Sequence, residues 1–177
     1  MADRAPGLAL ALALLLASAG SAAQDEGRSA LPSGPVQVSA DHAEWRNEGL
    51  MVYTGNVSLA IEGVVLNGDR LALRQIREGR YRATITGKPA GLQHAARKAT
   101  EAPITARSRD ILYDSGTGEL ELNGEVVLNR GTDQLSGDRI VYHLRDRRIE
   151  ADGGSGGQVQ ITIQPPKPAP ADDGDRP

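Results

Sequence analysis

The chain has 177 residues, a formal net charge of −3 and no cysteine. The lack of cysteine excludes disulfides, thiolate catalysis and cysteine-based zinc sites. A mildly acidic chain also lacks the basic surface that binds nucleic-acid phosphates, so we expect no nucleic-acid partner. There is no Phe and only one Trp, so aliphatic residues must form the interior. This composition favours thin layers or an interior that is not wholly filled.

The first 23 residues have the layout of a secretory signal peptide. Arg4 precedes an apolar run over residues 8–17, and Ser21-Ala22-Ala23 forms an A-x-A-like cleavage site. The run is short compared with the roughly 20 residues that a membrane span needs. We therefore expect cleavage after Ala23, export, and a polar, flexible lead-in over residues 24–34.

The first strands follow in chain order. Residues 36–40 alternate apolar and polar side chains, and residues 51–61 do so again after a turn at Asn47-Glu48-Gly49. Gly55 lies on the apolar face of that second strand, which predicts a bend or bulge there. In residues 64–73 the apolar phase changes across Gly68, so we predict a second bulge or corner at this glycine.

The remaining strands repeat this pattern. A strand over residues 81–85 is expected to end at Gly87-Lys88-Pro89, because proline favours strand ends and edges. Residues 93–103 have too little apolar content for a packed helix, so they are predicted to be a loop. Further strands are predicted over residues 104–113, 119–129, 134–142, 149–151 and 159–163, followed by a disordered tail over residues 165–177.

Residues 53–73 recur as residues 122–142, shifted by 69 positions without a gap. Seven of the 21 aligned positions are identical, namely Gly55/Gly124, Val57/Val126, Leu59/Leu128, Leu66/Leu135, Gly68/Gly137, Asp69/Asp138 and Arg70/Arg139. An internal repeat indicates a stacked architecture in which one unit cannot bury its apolar face alone. The sequence thus predicts an all-β protein of two homologous halves, over about residues 35–92 and 104–151.

No catalytic motif is recognisable. The three histidines, His42, His94 and His143, have no companion at metal-ligand spacing, so we expect surface or edge positions and no metal or cofactor. Glu119 and Glu121 alternate with leucines and are predicted to face solvent. Nothing indicates an enzyme. Two arginine clusters, at residues 77–82 and 145–148, are either solvated turns that protect a sheet edge or phosphate-binding groups.

Several segments, in order and with similar spacing, resemble the OstA-like family of lipopolysaccharide-transport domains. They are Pro35-Val-Gln-Val-Ser-Ala-Asp41, Tyr53-Thr-Gly-Asn-Val57, Gly87-Lys-Pro-Ala90, Asn123-Gly-Glu-Val126 and Gly137-Asp-Arg-Ile-Val-Tyr142. The resemblance covers residues 35–163, within a domain assigned to residues 35–164. Family members include LptA-type and LptC-type proteins and the front of LptD. A cleavable signal and a single domain favour the LptA type, with the LptC type as the alternative.

The resemblance implies a twisted, slightly open antiparallel β-jellyroll of about sixteen short strands. Its apolar interior shields the acyl chains of lipopolysaccharide, at the lipid A moiety, in the periplasm. Members join head to tail into a bridge from an LptC-like inner-membrane partner to an LptD-like outer-membrane partner. They have no catalytic role and need no cofactor.

Strand parity and the matching segments together predict the residues of the lipid groove. They are Val36, Val38, Tyr53, Val57, Leu59, Leu92, Tyr113, Leu122, Val126, Leu128 and Tyr142. The edge strands that would join partners carry Val36, Val38, Val159, Ile161 and Ile163. The rival hypothesis is a structural β-repeat scaffold or adhesin module with a filled core. Lipid binding distinguishes the two.

Overall fold

The computed structural model describes residues 36–77, 79–154 and 157–165. These residues form ten β-strands and one short 3-10 turn at Asn47–Gly49. The strands are β1 (Gln37–Ser39), β2 (His42–Arg46), β3 (Leu50–Ile61), β4 (Val64–Arg77), β5 (Arg80–His94), β6 (Ile104–Asp114), β7 (Glu119–Arg130), β8 (Asp133–His143), β9 (Arg148–Asp152) and β10 (Gln160–Thr162). None of the described residues belongs to a helix long and apolar enough to cross a membrane. The predicted signal peptide, the lead-in and the tail beyond Pro165 lie outside this part of the chain.

All ten strands belong to one antiparallel sheet. Its order is β1-β3-β4-β5-β6-β7-β8-β10, with β2 also paired to β3 and β9 also paired to β8. The short strands β1 and β2 pair with opposite halves of β3, and β10 and β9 pair with opposite halves of β8. Each edge of the sheet is therefore one interrupted strand. The predicted all-β, antiparallel architecture is confirmed.

Each of the six long strands runs through a bulge near its middle. The register between neighbouring long strands shifts at five places, between Thr54 and Val57, Asn67 and Arg70, Thr86 and Ala90, Arg107 and Asp110, and Asn123 and Val126. The predicted bulge at Gly55 is present. This glycine has a φ of 79°, a backbone conformation that residues with a Cβ rarely adopt. The expected count of sixteen differs from the observed ten because each long strand contains two segments.

The row of bulges divides the sheet into two arms that fold onto each other. The first arm contains β2, β9 and the halves of β3–β8 that pair with them; the second contains β1, β10 and the other halves. Contact between the arms is direct, since the rings of His94 in the second arm and Tyr142 in the first lie 5.8 Å apart. Aliphatic side chains from both arms form one buried cluster between them.

The two arms are offset where they meet. His94 belongs to β5 and Tyr142 to β8, so the arms are displaced by three strands in the sheet order. Within the described part of the chain, the inner face near β2 and near β10 consequently has no opposing arm. Trp45 in β2 is 78% exposed and Ile161 in β10 is 65% exposed, and both share the apolar side of their strands. The inner face is thus closed in the middle and open at both ends.

The strand bounds follow the sequence repeat. Shifting β3 (Leu50–Ile61) by 69 positions gives the bounds of β7 (Glu119–Arg130). Gly124 has a φ of 77°, close to that of its equivalent Gly55. By the same equivalence β4 corresponds to β8, β6 to β1 with β2, and β5 to β9 with β10.

One expectation about the strands is wrong. The strand through residues 81–85 does not end at Gly87-Lys88-Pro89, because β5 continues to His94. Proline is tolerated here since Pro89 lies in the interval between Thr86 and Ala90, where no residue pairs with β6. In the middle of the sheet the interior is filled, where Leu59, Leu122 and Tyr142 are fully buried.

Candidate functional site

The predicted groove residues lie on one apolar face. Eight are buried in the central cluster: Val57, Leu59, Leu92, Tyr113, Leu122, Val126, Leu128 and Tyr142. Val36, Val38 and Tyr53 are half-buried and pack against the same cluster. The structure therefore brings all eleven together on this face, and their contact with lipid stays a prediction.

The same face contains aliphatic residues that the sequence analysis missed. They are Ile61, Val64, Leu66, Leu71, Leu73, Ile85, Ile104, Ile111, Leu120, Ile140 and Leu144. Leu66 and Leu71 show why: both are buried, yet they differ in parity along β4. The bulge between them turns the strand so that odd and even positions face inward in different arms. The phase change around Gly68 was the available signal.

Two tyrosines place polar groups within this apolar face. The rings of Tyr81 in β5 and Tyr113 in β6 lie 5.8 Å apart. Neither hydroxyl has a hydrogen-bond partner in the described part of the chain. Burial raises the pKa of both phenols above their usual range, so both are neutral. They are hydrogen-bonding groups without a protein partner on an otherwise aliphatic surface.

His94 was expected at the surface, and this expectation is wrong. Its side chain is buried, and Nδ1 lies 2.7 Å from the Tyr142 hydroxyl oxygen. Burial lowers the pKa of His94 to about 4, and the charges of Arg147 and Arg97 act in the same direction. The imidazole is therefore neutral at pH 7. His42 is exposed and His143 is half-buried, as expected for edge positions.

A polar connection between the arms lies beside His94. Arg147, in the β8–β9 turn of the first arm, donates to the carbonyl oxygens of Ala95 and Ala102 in the β5–β6 loop, at 3.1 and 2.9 Å. In return, Arg97 in that loop donates to the Leu144 carbonyl oxygen at 3.0 Å. We call residues 95–103 and 144–147 together the clasp. The clasp joins the two arms along one side of their contact, which we call the seam, next to the buried imidazole.

Both predicted partner strands lie at edges of the sheet. Among the described strands, β1 pairs only with β3 and β10 only with β8. Val36 and Val38 lie in or beside β1, while Ile161 and Ile163 lie in or beside β10 and are 65% and 72% exposed. Free edges with apolar side chains promote pairing with another strand.

The described residues contain no group of three or more His, Asp or Glu side chains that could hold a metal ion. The features that remain are an aliphatic inner face, a clasp and two free edges. Taken together, they define a class of protein: an antiparallel β-sheet folded on itself, with an apolar inside that continues to both of its ends.

The chain belongs to the LptA/(LptD N-terminal domain) LPS transport protein family, whose sequence profile matches residues 37–148. It is 29% identical over 153 residues to the lipopolysaccharide export system protein LptH of Pseudomonas aeruginosa, covering 79% of this chain and 86% of the relative. It is 22% identical over 134 residues to the lipopolysaccharide export system protein LptA of Escherichia coli strain K12, covering 74% and 71%.

The fold agrees with this assignment. The crystal structure of the Pseudomonas aeruginosa LptH, described as the LptA-homologous periplasmic component of the lipopolysaccharide transport device, superposes with a TM-score of 0.69 at 25% identity. The match covers 76% of this chain and 99% of the LptH chain. The predicted resemblance to the OstA-like family is thereby confirmed, and with it the β-jellyroll fold class.

Proposed function

We propose that this protein is a periplasmic lipopolysaccharide-binding bridge. It carries lipopolysaccharide from an inner-membrane transporter complex, through an LptC-like partner, to an LptD-like outer-membrane translocon. The observation that carries the proposal is the continuous apolar inner face, on which all eleven predicted groove residues lie. The transport roles in the names of the relatives support it.

Such a carrier needs a dry apolar surface and no catalytic groups. Burying an acyl chain contributes about 0.8 kcal/mol for each CH₂ group. Aliphatic side chains supply this surface, and the free hydroxyls of Tyr81 and Tyr113 offer donors to oxygen atoms of the lipid. The sequence pattern of a signal peptide and the periplasmic relative support the location.

The edges support head-to-tail association, and the repeat gives its register. Val38 pairs with Leu59 as Ala106 pairs with Leu128, so Val38 is equivalent to Ala106. Likewise Ile161 pairs with Leu135 as Leu92 pairs with Leu66, so Ile161 is equivalent to Leu92.

Within the chain, Leu92 pairs with Ala106. If two copies join as β5 joins β6, Ile161 of one copy lies opposite Val38 of the next. The same rule puts Ile149 opposite Trp45, because Ala83 pairs with Tyr113. The residues left exposed on the inner face are thereby covered. Heterologous contacts of this kind produce open filaments, and the same edges would accept the β-jellyrolls of the two membrane partners.

Association can be followed through Trp45, the only tryptophan of the chain. We expect its fluorescence to shift to the blue as protein concentration rises, because Ile149 of another copy covers the indole. The register is tested with Val38→Cys mixed with Ile161→Cys, which we expect to form a disulfide between copies, since opposite residues have suitably close Cβ atoms. Gln37→Cys, which faces the other side, is the control. Crosslinking through Gln37→Cys alone would contradict the register.

Lipid binding is tested by photocrosslinking in cells. A photoreactive phenylalanine replaces Tyr53, Leu59 or Tyr113 on the inner face, and Glu121, between Leu120 and Leu122 on β7, serves as the outward control. We expect lipopolysaccharide adducts at the inner positions and none at Glu121. A folded, exported protein without adducts at any inner position would instead favour the structural scaffold.

A further inference from the structure

The contacts of the clasp are reciprocal and span long distances in sequence. Arg97 reaches from the second arm to the carbonyl oxygens of Leu144 and Arg145, at 3.0 and 3.3 Å. Arg147 reaches back from the first arm, and its side chain is only 10% exposed. Two guanidinium groups thus hold the two arms together at one place on the seam.

The acceptors of these arginines are neutral. Four of their hydrogen bonds end on backbone carbonyl oxygens. Among the described residues, Glu101 is the one carboxylate paired with either side chain, with its Oε2 3.6 Å from Arg147 Nη1. The clasp as a whole contains Arg97, Lys98, Arg145 and Arg147 against Glu101 and Asp146, an excess of positive charge. A phosphate offers a guanidinium group two charged acceptors, and such charge-assisted pairs are about twice as strong as neutral ones.

The closed clasp lies beside the buried contact between the two arms. Beneath it, His94 and Tyr142 are buried and in contact, and the centre of the interior is already filled. An acyl chain therefore has room there only after the arms separate. Separation of the arms frees Arg97 and Arg147 from their carbonyl acceptors. The headgroup of a lipid whose acyl chain enters between the arms would stay outside the apolar interior, next to these two arginines.

We propose that Arg97 and Arg147 form a phosphate-binding site at the mouth of the inner face, in which the phosphate of a bound lipid replaces the backbone carbonyls that hold the clasp closed. This inference rests on the proposed function and deepens it. Binding of the headgroup then compensates for opening the clasp, so phosphate-bearing lipids load more readily than neutral ones. The arginine cluster at residues 145–148 thus contributes one ligand-binding side chain, Arg147.

The first test compares two fluorescent single-chain lipids with the same acyl chain, a lysophosphatidic acid and a monoacylglycerol, below their micelle concentrations. We expect the wild type to bind the phosphate lipid about tenfold or more tightly. Arg97→Gln with Arg147→Gln should abolish this preference while keeping or improving monoacylglycerol binding. The control, Arg107→Gln with Arg109→Gln, removes the same charge from exposed positions near the bulge of β6 and should retain the preference.

An unchanged preference in the clasp variant would overturn this inference alone. If the wild type binds neither lipid, the proposed function fails with it. Inorganic phosphate separates the lipid headgroup from the free anion: millimolar concentrations should displace neither lipid. Release of the phosphate lipid by free phosphate would reveal an anion site independent of the acyl chain and would overturn the coupling.

The second test keeps both arginines, and therefore does not depend on how the clasp variant folds. Ala95→Cys with Asp146→Cys introduces the only two cysteines of the chain on the two sides of the clasp. A cleavable bifunctional reagent then locks the clasp shut. We expect loading of either lipid to slow at least tenfold and to recover after cleavage, whereas Ala95→Cys with a monofunctional label should load normally. Equal loading of the locked protein would overturn the inference.

Discussion

The centre of the sheet, where β5 pairs with β6, and its two edges are built from equivalent parts of the sequence repeat, yet only the centre is buried. Leu92 in β5 is 1% exposed, whereas its equivalent in β10, Ile161, is 65% exposed. Tyr113 in β6 is fully buried, whereas Trp45 in β2 is 78% exposed. The residue types are similar. The difference in exposure therefore comes from the second neighbouring strand, which β5 and β6 have and the edge strands lack.

Continuity of the strands differs in the same way. β5 and β6 run through the row of bulges and belong to both arms, while the edge strands are interrupted there. Between β9 and β10 the chain passes through Gly153 and Gly157, and between β1 and β2 through Ala40 and Asp41. The centre thus couples the two arms mechanically, and the edges leave each arm free to pair separately with another copy.

The largest expected effect separates stability from association. Leu92→Ala should reduce the free energy of unfolding by about 2–5 kcal/mol, because it leaves a cavity in the filled centre. Ile161→Ala should change it by less than about 0.5 kcal/mol, since the side chain is exposed in the monomer, but should weaken association. Urea unfolding at low protein concentration measures the first quantity, and the Trp45 fluorescence titration measures the second. Equal losses of stability in Leu92→Ala and Ile161→Ala would refute the contrast between a buried centre and exposed edges.

The sequence predicted those features that depend on local pattern. Alternating apolar and polar residues predict the strands. The glycine on an apolar face predicts the bulge at Gly55, and the change of apolar phase predicts the bulge at Gly68. Strand parity, together with the segments that resemble the family, predicts the eleven groove residues. Leu71 lies beyond the bulge of β4, where parity counted from Leu66 no longer applies. That reason does not extend to Ile104, which precedes the bulge of β6.

Features that depend on distant contacts could not be predicted. His94 is buried because it pairs with Tyr142, which lies 48 positions away in the sequence. Proline cannot donate to a ladder, so the sequence predicts a strand end at Pro89. Only the pairing of β5 with β6 reveals an interval where no donor is needed. The clasp joins segments separated by 45–52 positions and has no local signature.

The next prediction concerns the buried histidine. An unfolded chain protonates His94 near pH 6.5, whereas burial holds its pKa in the folded protein at about 4. Between these values the unfolded state binds more protons at His94. The contribution of His94 to stability is therefore constant above pH 6.5 and falls as the pH drops to 4, by up to about 3 kcal/mol. Arg147, Arg97, Glu101 and Tyr142 are the titratable or charged groups that surround the imidazole.

Urea midpoints at pH 7 and pH 5 measure this effect. His94→Gln should remove part of the acid destabilisation, and the remaining part belongs to carboxylates common to both proteins. His42→Gln, at an exposed position on the β2 edge, is the matched control and should behave like the wild type. Identical pH dependence in His94→Gln and the wild type would contradict the assignment.

A smaller difference is expected at the paired glycines Gly68 and Gly137. A Cβ at Gly68 would lie 2.5 Å from Ile85 Cγ2 and 2.7 Å from the Thr86 carbonyl oxygen, in the continuous strand β5. At Gly137 the nearest atom would be the Asp152 carbonyl oxygen at 3.0 Å, at the end of the short strand β9. Gly68→Ala should therefore destabilise by about 1–3 kcal/mol, and Gly137→Ala by clearly less. Thermal unfolding of the two variants tests the order, and a larger loss at Gly137 would reverse it.

The smallest effect concerns charge at the junction between copies. In the centre, Arg82 Nη2 lies 2.8 Å from Asp114 Oδ2. Their equivalents at the edges are Arg148 and Arg46, so the repeat-derived register places two positive charges opposite each other. Arg46→Asp should recreate the central pair and tighten association about two- to fivefold, as expected for an exposed ion pair worth about 0.3–1 kcal/mol.

This gain should disappear in 1 M salt, where charges are screened over about 3 Å. It should also disappear in Arg46→Asp with Arg148→Asp, which restores like charges with the opposite sign. The lost partner of Arg46 in its own strand, Glu44 at 2.8 Å, is exposed and contributes little. If Arg46→Asp weakened association at low salt, residues 46 and 148 would not face each other, and the edges would not join in the register of β5 and β6.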